Sequence, residues 1–164
     1  MPNQEMAPKP RLPLNGQWVL RIPRPNVRAH TDESGGGLKV CTVNVGTLVG
    51  RSREVVEMLA RRGVDVCCTQ EVRYKNIGCR VFGSNDEKYK LWYSGNKLGE
   101  HGVGIMIKYD LSEDVIEVER FDNRMMKVKM VLGRKVVQIF SIYAPQVGCS
   151  VQEKEKFGRS WKMR

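Results

Sequence analysis

The stretch from Leu38 to Glu71 constrains the chain more than any other. "LKVCTVN" has the texture of a strand, and the polar "GTLVGRS" that follows reads as a loop. "REVVEMLARRG" places Val55, Val56 and Leu59 on one helical stripe with Arg and Glu opposite, and Gly63 as the stop. "VDVCCTQ" is then a second, nearly apolar strand, as expected for a strand covered on both faces. Strand, helix and strand at this spacing make one crossover unit, which requires the two strands to lie parallel. The chain is therefore α/β, and its 164 residues suffice for one domain with a proper core.

Beyond a polar loop running through Asp86 the pattern turns to a meander. "YKLWYSG", "GVGIMIK", "DVIEVERF", "RMMKVKMVL" and "KVVQIFSIYAP" are strand candidates, separated by turn chemistry at Gly99, Asn123 and Gly133. Met126, Val128 and Met130 alternate with Lys127 and Lys129, so one face is packed and the other wet. Methionines so spaced are core filler. Residues 1–37 read as a disordered, basic, Pro/Gly-rich tail in which "WVLRIPRP" has an apolar side. "VGCSVQEKEKFGRSWKMR" begins as a helix at Val151 and degenerates at Gly158 into a short basic tail, residues 158–164.

Composition narrows the partners. A net charge of +10 attracts polyanions, nucleic acid first. The five cysteines form no C-x-x-C pair, and with only His30 and His101 a structural zinc site is not expected. No signal-peptide pattern and no membrane-length apolar run is present, so an intracellular protein without a membrane partner is expected.

Three polar residues stand at strand ends: Asn44, Glu71 and Tyr143. If their strands are neighbours, an amide, a carboxylate and a phenol converge at one edge, where sheets display chemistry. A carboxylate is a hard ligand for Mg²⁺, and an amide and a phenol bond phosphate oxygens or hold an attacking water. Taken singly, each has an ordinary alternative: a loop Glu, an Asx turn at Asn44, and a packed ring at Tyr143.

"LKVCTVNVGTL", "VDVCCTQEVR", "HGVGIMIK" and "SIYAPQ", in that order, resemble the first half of the endonuclease/exonuclease/phosphatase superfamily. That family includes apurinic endonucleases and the endonucleases of LINE-type retrotransposons. "NVGTLVGRSREVVEMLARRGVDVCCTQEVRYK" and "IYAPQVGCSVQEKEKF" resemble its retrotransposon-derived craniofacial development protein 2 group. The likeness covers residues 38–157 and implies a four-layer α/β sandwich of which this chain carries the first half, with a mixed sheet and one main helix. It implies a Mg²⁺-dependent phosphodiesterase with Glu71 as metal ligand, Asn44 orienting the site and Tyr143 contacting the phosphate or attacking oxygen. Gln146 falls where relatives touch the backbone phosphate, Arg73 and Lys75 are further candidates for binding nucleic acid, and a nuclear location follows from the likeness together with the basic balance.

Departures from the family pattern shape the functional expectation. Val43 stands where relatives carry Trp, and Gly46 where some carry an acid. The family's "GDFN"-like and "SDH"-like motifs have no counterpart, and His101 precedes the "GVGIMIK" strand instead of following the second half. The expectation is a truncated domain with negligible nuclease activity alone. It would supply one sheet and its helix, with an apolar face left for a protein partner. The alternatives are a binding module for nucleic acid or protein that does not cleave, and a relic without selected function.

Overall fold

The computed structural model describes residues 19–22, 37–84 and 87–162. Most of the segment read as a tail, His30 included, and residues 163–164 lie outside these. Among the described residues nine strands and two α-helices follow in order: β1 (Val19–Ile22), β2 (Leu38–Asn44), α1 (Ser52–Arg61), β3 (Val66–Gln70), β4 (Ile77–Phe82), β5 (Tyr89–Ser94), β6 (Val103–Lys108), β7 (Val115–Asp122), β8 (Met125–Leu132), β9 (Lys135–Ile142) and α2 (Val151–Lys162).

The crossover unit forms as its pattern demands. β2 and β3 pair in parallel with Asn44 opposite Gln70. α1 ends at the glycine anticipated for it, Gly63, whose φ is 59°. The Gly63 N–H donates to the Ala60 carbonyl and the Val64 N–H to that of Leu59, a Schellman closure. Val55, Val56 and Leu59 from α1 pack on Cys41, Cys67, Leu91 and Met106, covering one face of the sheet. β3 is buried along its whole length because both of its faces are covered.

Two sheets form, where one was expected. Six strands take the order β1-β2-β3-β6-β5-β4, and three more take the order β7-β8-β9. The local pattern identifies β7 to β9 as strands but does not say which sheet they join. A short 3₁₀ turn, Tyr109–Asp114, carries the chain across to the second sheet after β6. Met126, Val128, Met130, Leu132 and Ile139 then meet Val66, Cys68, Ile105 and Ile107, so the inner faces cover each other. The bare apolar face expected from a single sheet is thus filled by the chain itself. On the outside of the small sheet Lys127 and Lys129 pair with Glu117 and Glu119, which is the wet face the alternation requires.

Three further differences have physical causes. The loop expected through Asp86 contains β4, an edge strand bonded only to β5 among the described residues. Its residues are mostly exposed, as at a sheet edge. Val19–Ile22, inside the segment read as disordered, pairs antiparallel with β2 through its backbone. α2 does not stop at Gly158 but runs to Lys162. One interior glycine costs only about 1 kcal/mol. Against that cost stand Arg159 and Lys162 in the last turn, a favourable end for cations, and a capping box, in which Ser150 Oγ accepts from the Glu153 N–H while Glu153 Oε2 accepts from the Ser150 N–H.

Candidate active site

Parallel pairing puts the C-terminal ends of β2 and β3 on the same rim, so Asn44 and Glu71 are neighbours by register. Tyr143 arrives from the other sheet. β9 lies across β3, tied by Ser141 Oγ donating to the Thr69 carbonyl at 3.1 Å and by Cys68 Sγ facing the Phe140 carbonyl at 3.4 Å. Two residues beyond each of Thr69 and Ser141, Glu71 and Tyr143 meet.

The contacts centre on the carboxylate. Asn44 Nδ2 donates to Glu71 Oε1 at 2.9 Å, and the Tyr143 hydroxyl donates to the same oxygen at 2.8 Å. Arg73 Nη2 donates to Oε2 at 3.1 Å. Gln146 Nε2 reaches the Tyr143 hydroxyl at 3.1 Å. The Asn44 amide is oriented by its own Oδ1, which accepts the Gly46 N–H at 3.0 Å. The Asx turn and the contact with Glu71 therefore coexist in one side chain. Of the residues singled out from sequence, only Lys75 stays apart, exposed in the same loop and without a hydrogen bond to the cluster.

Backbone strain aims the carboxylate. Glu71 has φ 57° and Arg73 φ 56°, left-handed values that cost a non-glycine residue about 1 kcal/mol or more each. The intervening Val72 is fully buried, and its N–H bonds to the Gly102 carbonyl. Its carbonyl accepts the Leu48 N–H, while the Arg73 N–H donates to the His101 carbonyl. The loop is held from both sides, which is what keeps the strained conformation in place.

The electrostatics follow from these contacts. The Asn44 amide foremost, then Tyr143 and Arg73, holds the Glu71 carboxyl below the usual carboxylate range, so it is ionised at neutral pH. Burial, with the Glu71 carboxylate beside it, pushes the Tyr143 phenol up. The phenol is a hydrogen-bond donor here.

Two residues join the rim that chain order did not predict. The His101 ring lies 5.8 Å from that of Tyr143, centroid to centroid. The Arg124 guanidinium sits 5.0 Å over the Tyr143 ring, and its Nη1 donates to the Tyr143 carbonyl. His101 precedes an antiparallel strand and Arg124 follows a hairpin turn, so both reach this rim from strand starts. The Asp122–Asn123 turn signal marks where Arg124 would emerge.

Neither the family models nor the curated proteins include a match to this sequence. Solved structures do match. One is an AP endonuclease from Archaeoglobus fulgidus, 23% identical with a TM-score of 0.53, over 76% of this chain and 48% of that one. Another is the AP endonuclease LMAP from Leishmania major, 13% identical with a TM-score of 0.56, over 88% of this chain and 52% of that one. The fold is that of the AP endonucleases. The chain spans about half the length of these two structures.

The donor set suits a hard cation in character more than in number. Among the described residues no three His, Cys, Asp or Glu side chains stand together as a metal cage. Glu71 offers one hard carboxylate, as Mg²⁺ sites that keep most of their waters require. Among the described residues its Oε2 is engaged by Arg73, whose side chain is half-exposed.

Proposed function

We propose that this rim binds a phosphodiester of DNA, as half of a Mg²⁺-dependent endonuclease-type site of LINE-retrotransposon descent, akin to the craniofacial development protein 2 group. The observation that carries the reading is the carboxylate of Glu71, set on strained backbone and bonded by an amide and a phenol from two different sheets. In this reading Glu71 holds the metal, which supplies charge neutralisation at the phosphate. Asn44 fixes the carboxylate and faces the phosphate. Tyr143 contacts a phosphate oxygen or the attacking oxygen through its hydroxyl. Arg73 and Gln146 bond the backbone phosphates, with Lys75 flanking at longer range. A nuclear location accords with a DNA ligand.

We infer that the chain cleaves negligibly by itself. Its hydrogen-bonded cluster has a single carboxylate, and its phenol, Tyr143, is a donor to that carboxylate and not a base; acid–base participation is worth roughly 10²–10⁴-fold. Binding without cleavage is then the activity left, and the net charge of +10 favours it.

Supercoiled plasmid incubated with Mg²⁺ and either the chain or Glu71→Ala tests the first claim. No Glu71-dependent nicking is expected, and nicking that vanishes in Glu71→Ala overturns the inference of inactivity. Retention of labelled duplex that weakens steeply with salt is expected of phosphate contacts. No retention even at low salt overturns the nucleic-acid reading and leaves a protein-binding role or none.

A further inference from the structure

Behind the rim, on the face covered by α1, two thiols face one another in a setting that the proposed site does not use. Cys41 on β2 and Cys67 on β3 are direct partners in the parallel ladder. Both belong to the same packed cluster under α1. Neighbouring strands stand about 4.8 Å apart, inside the roughly 4.4–6.8 Å Cα separation that a disulfide accepts. Cys41 also lines a cavity of about 230 Å³ whose walls include Lys39, Arg61 and Arg62. Cations lining a cavity beside a thiol favour its thiolate, the reactive form of a cysteine.

We propose that Cys41 is an oxidant-sensitive site, with Cys67 as its resolving thiol, and that a small peroxide entering this cavity converts the pair to a disulfide joining β2 to β3. The chemistry balances with hydrogen peroxide as oxidant. The Cys41 thiolate attacks one peroxide oxygen, the O–O bond breaks, and hydroxide leaves, giving a sulfenic acid. The Cys67 sulfur then attacks the Cys41 sulfur and the hydroxyl departs as water with the Cys67 proton. Two thiols are oxidised by two electrons, and one peroxide is reduced to two waters.

The division of labour between the thiols follows from their surroundings. The neighbouring Cys67 thiol, with Arg62 and Lys39 nearby, holds the Cys41 thiol below its ordinary value. The neighbouring Cys41 thiol, with complete burial, holds Cys67 well above it. The adjacent Cys68 faces the other sheet and is pushed up to about 12 by burial, so it does not compete. Three residues beyond Cys41 stands Asn44, and four beyond Cys67 stands Glu71. The cross-link would therefore pin together the two strands that carry the rim.

The test uses the full chain with the two less buried cysteines removed, Cys79→Ser and Cys149→Ser. After peroxide, a loss of about 2 Da that thiol reductant reverses is expected. The tryptic peptides 40–51 and 63–73 should be linked, with fragmentation assigning the bond to Cys67 and not Cys68. Adding Cys67→Ser should leave a sulfenic acid on Cys41 that dimedone traps, and adding Cys41→Ser should leave Cys67 unmodified. A link through Cys68, dimedone adducts on Cys67 in the Cys41→Ser background, or an unreactive Cys41 would each overturn the proposal. The linked-peptide result on the chain that keeps both thiols decides the matter even where a serine variant folds poorly.

Discussion

Replacing Glu71 by alanine and by glycine separates the worth of its carboxylate from the cost of its backbone. Both changes remove the bonds from Asn44 and Tyr143 to Oε1 and from Arg73 to Oε2. The Arg73 side chain is 53% exposed, so its bond adds little. The other two approach the side chain of a residue only 15% exposed, and losing them costs about 2 kcal/mol together. Alanine keeps the left-handed φ of 57° and its strain, whereas glycine relieves it. The relief of about 1–2 kcal/mol is partly offset by the extra entropy glycine gives the unfolded chain. Glu71→Gly should therefore be more stable than Glu71→Ala by about 0.5–1 kcal/mol, with both below the parent. Urea denaturation followed by the fluorescence of the buried Trp92 reads this difference. With a slope of about 2 kcal/mol/M, midpoints should differ by roughly 0.3–0.5 M. Equal midpoints, or alanine the more stable, would show that the backbone at Glu71 is not held in the left-handed region.

Other outcomes follow from the same geometry. The Glu71 carboxyl is held below its unfolded value, so its stabilisation is complete above the unfolded carboxylate range and disappears as pH falls through the folded value. The stability gap between the parent and Glu71→Gln should be constant near neutrality and close in acid, and denaturation curves in which it widens in acid would contradict this. Tyr143→Phe loses the donor to Glu71 and the acceptor for Gln146 and should cost about 1 kcal/mol by urea titration, against a smaller loss for Gln146→Ala at the exposed end of the relay. Met126→Ala empties a fully buried position between the sheets and should cost about 2–5 kcal/mol in the same assay. A loss under about 1 kcal/mol would show that the two sheets do not pack as described.

The crossover unit was legible because periodicity there is strong and local. Val55, Val56 and Leu59 can face a sheet only as a helix, and the apolar run of β3 only as a strand covered twice. β4 was not legible, since an edge strand draws its order from backbone bonds on one side and leaves Ile77 and Val81 exposed. Nor was the second sheet, because strand texture carries no record of partner choice. The decision lies in the turn at Tyr109–Asp114. At the rim, Asn44 and Glu71 stood out as polar residues closing apolar strands. Their meeting with Tyr143 rests on the crossing of β9 over β3 from a second sheet, which the one-sheet expectation did not include. His101 and Arg124 come from strand starts, where polar residues are commonplace, and nothing local distinguishes them.

Backbone amide spectra recorded during a Mg²⁺ titration bear most directly on the claim that this rim is a metal-assisted phosphodiester site. Saturable shifts confined to the neighbourhood of Asn44, Glu71, Arg73 and Tyr143, and abolished by Glu71→Gln, are the predicted result. Shifts scattered over other acidic residues, or unchanged in Glu71→Gln, would contradict it.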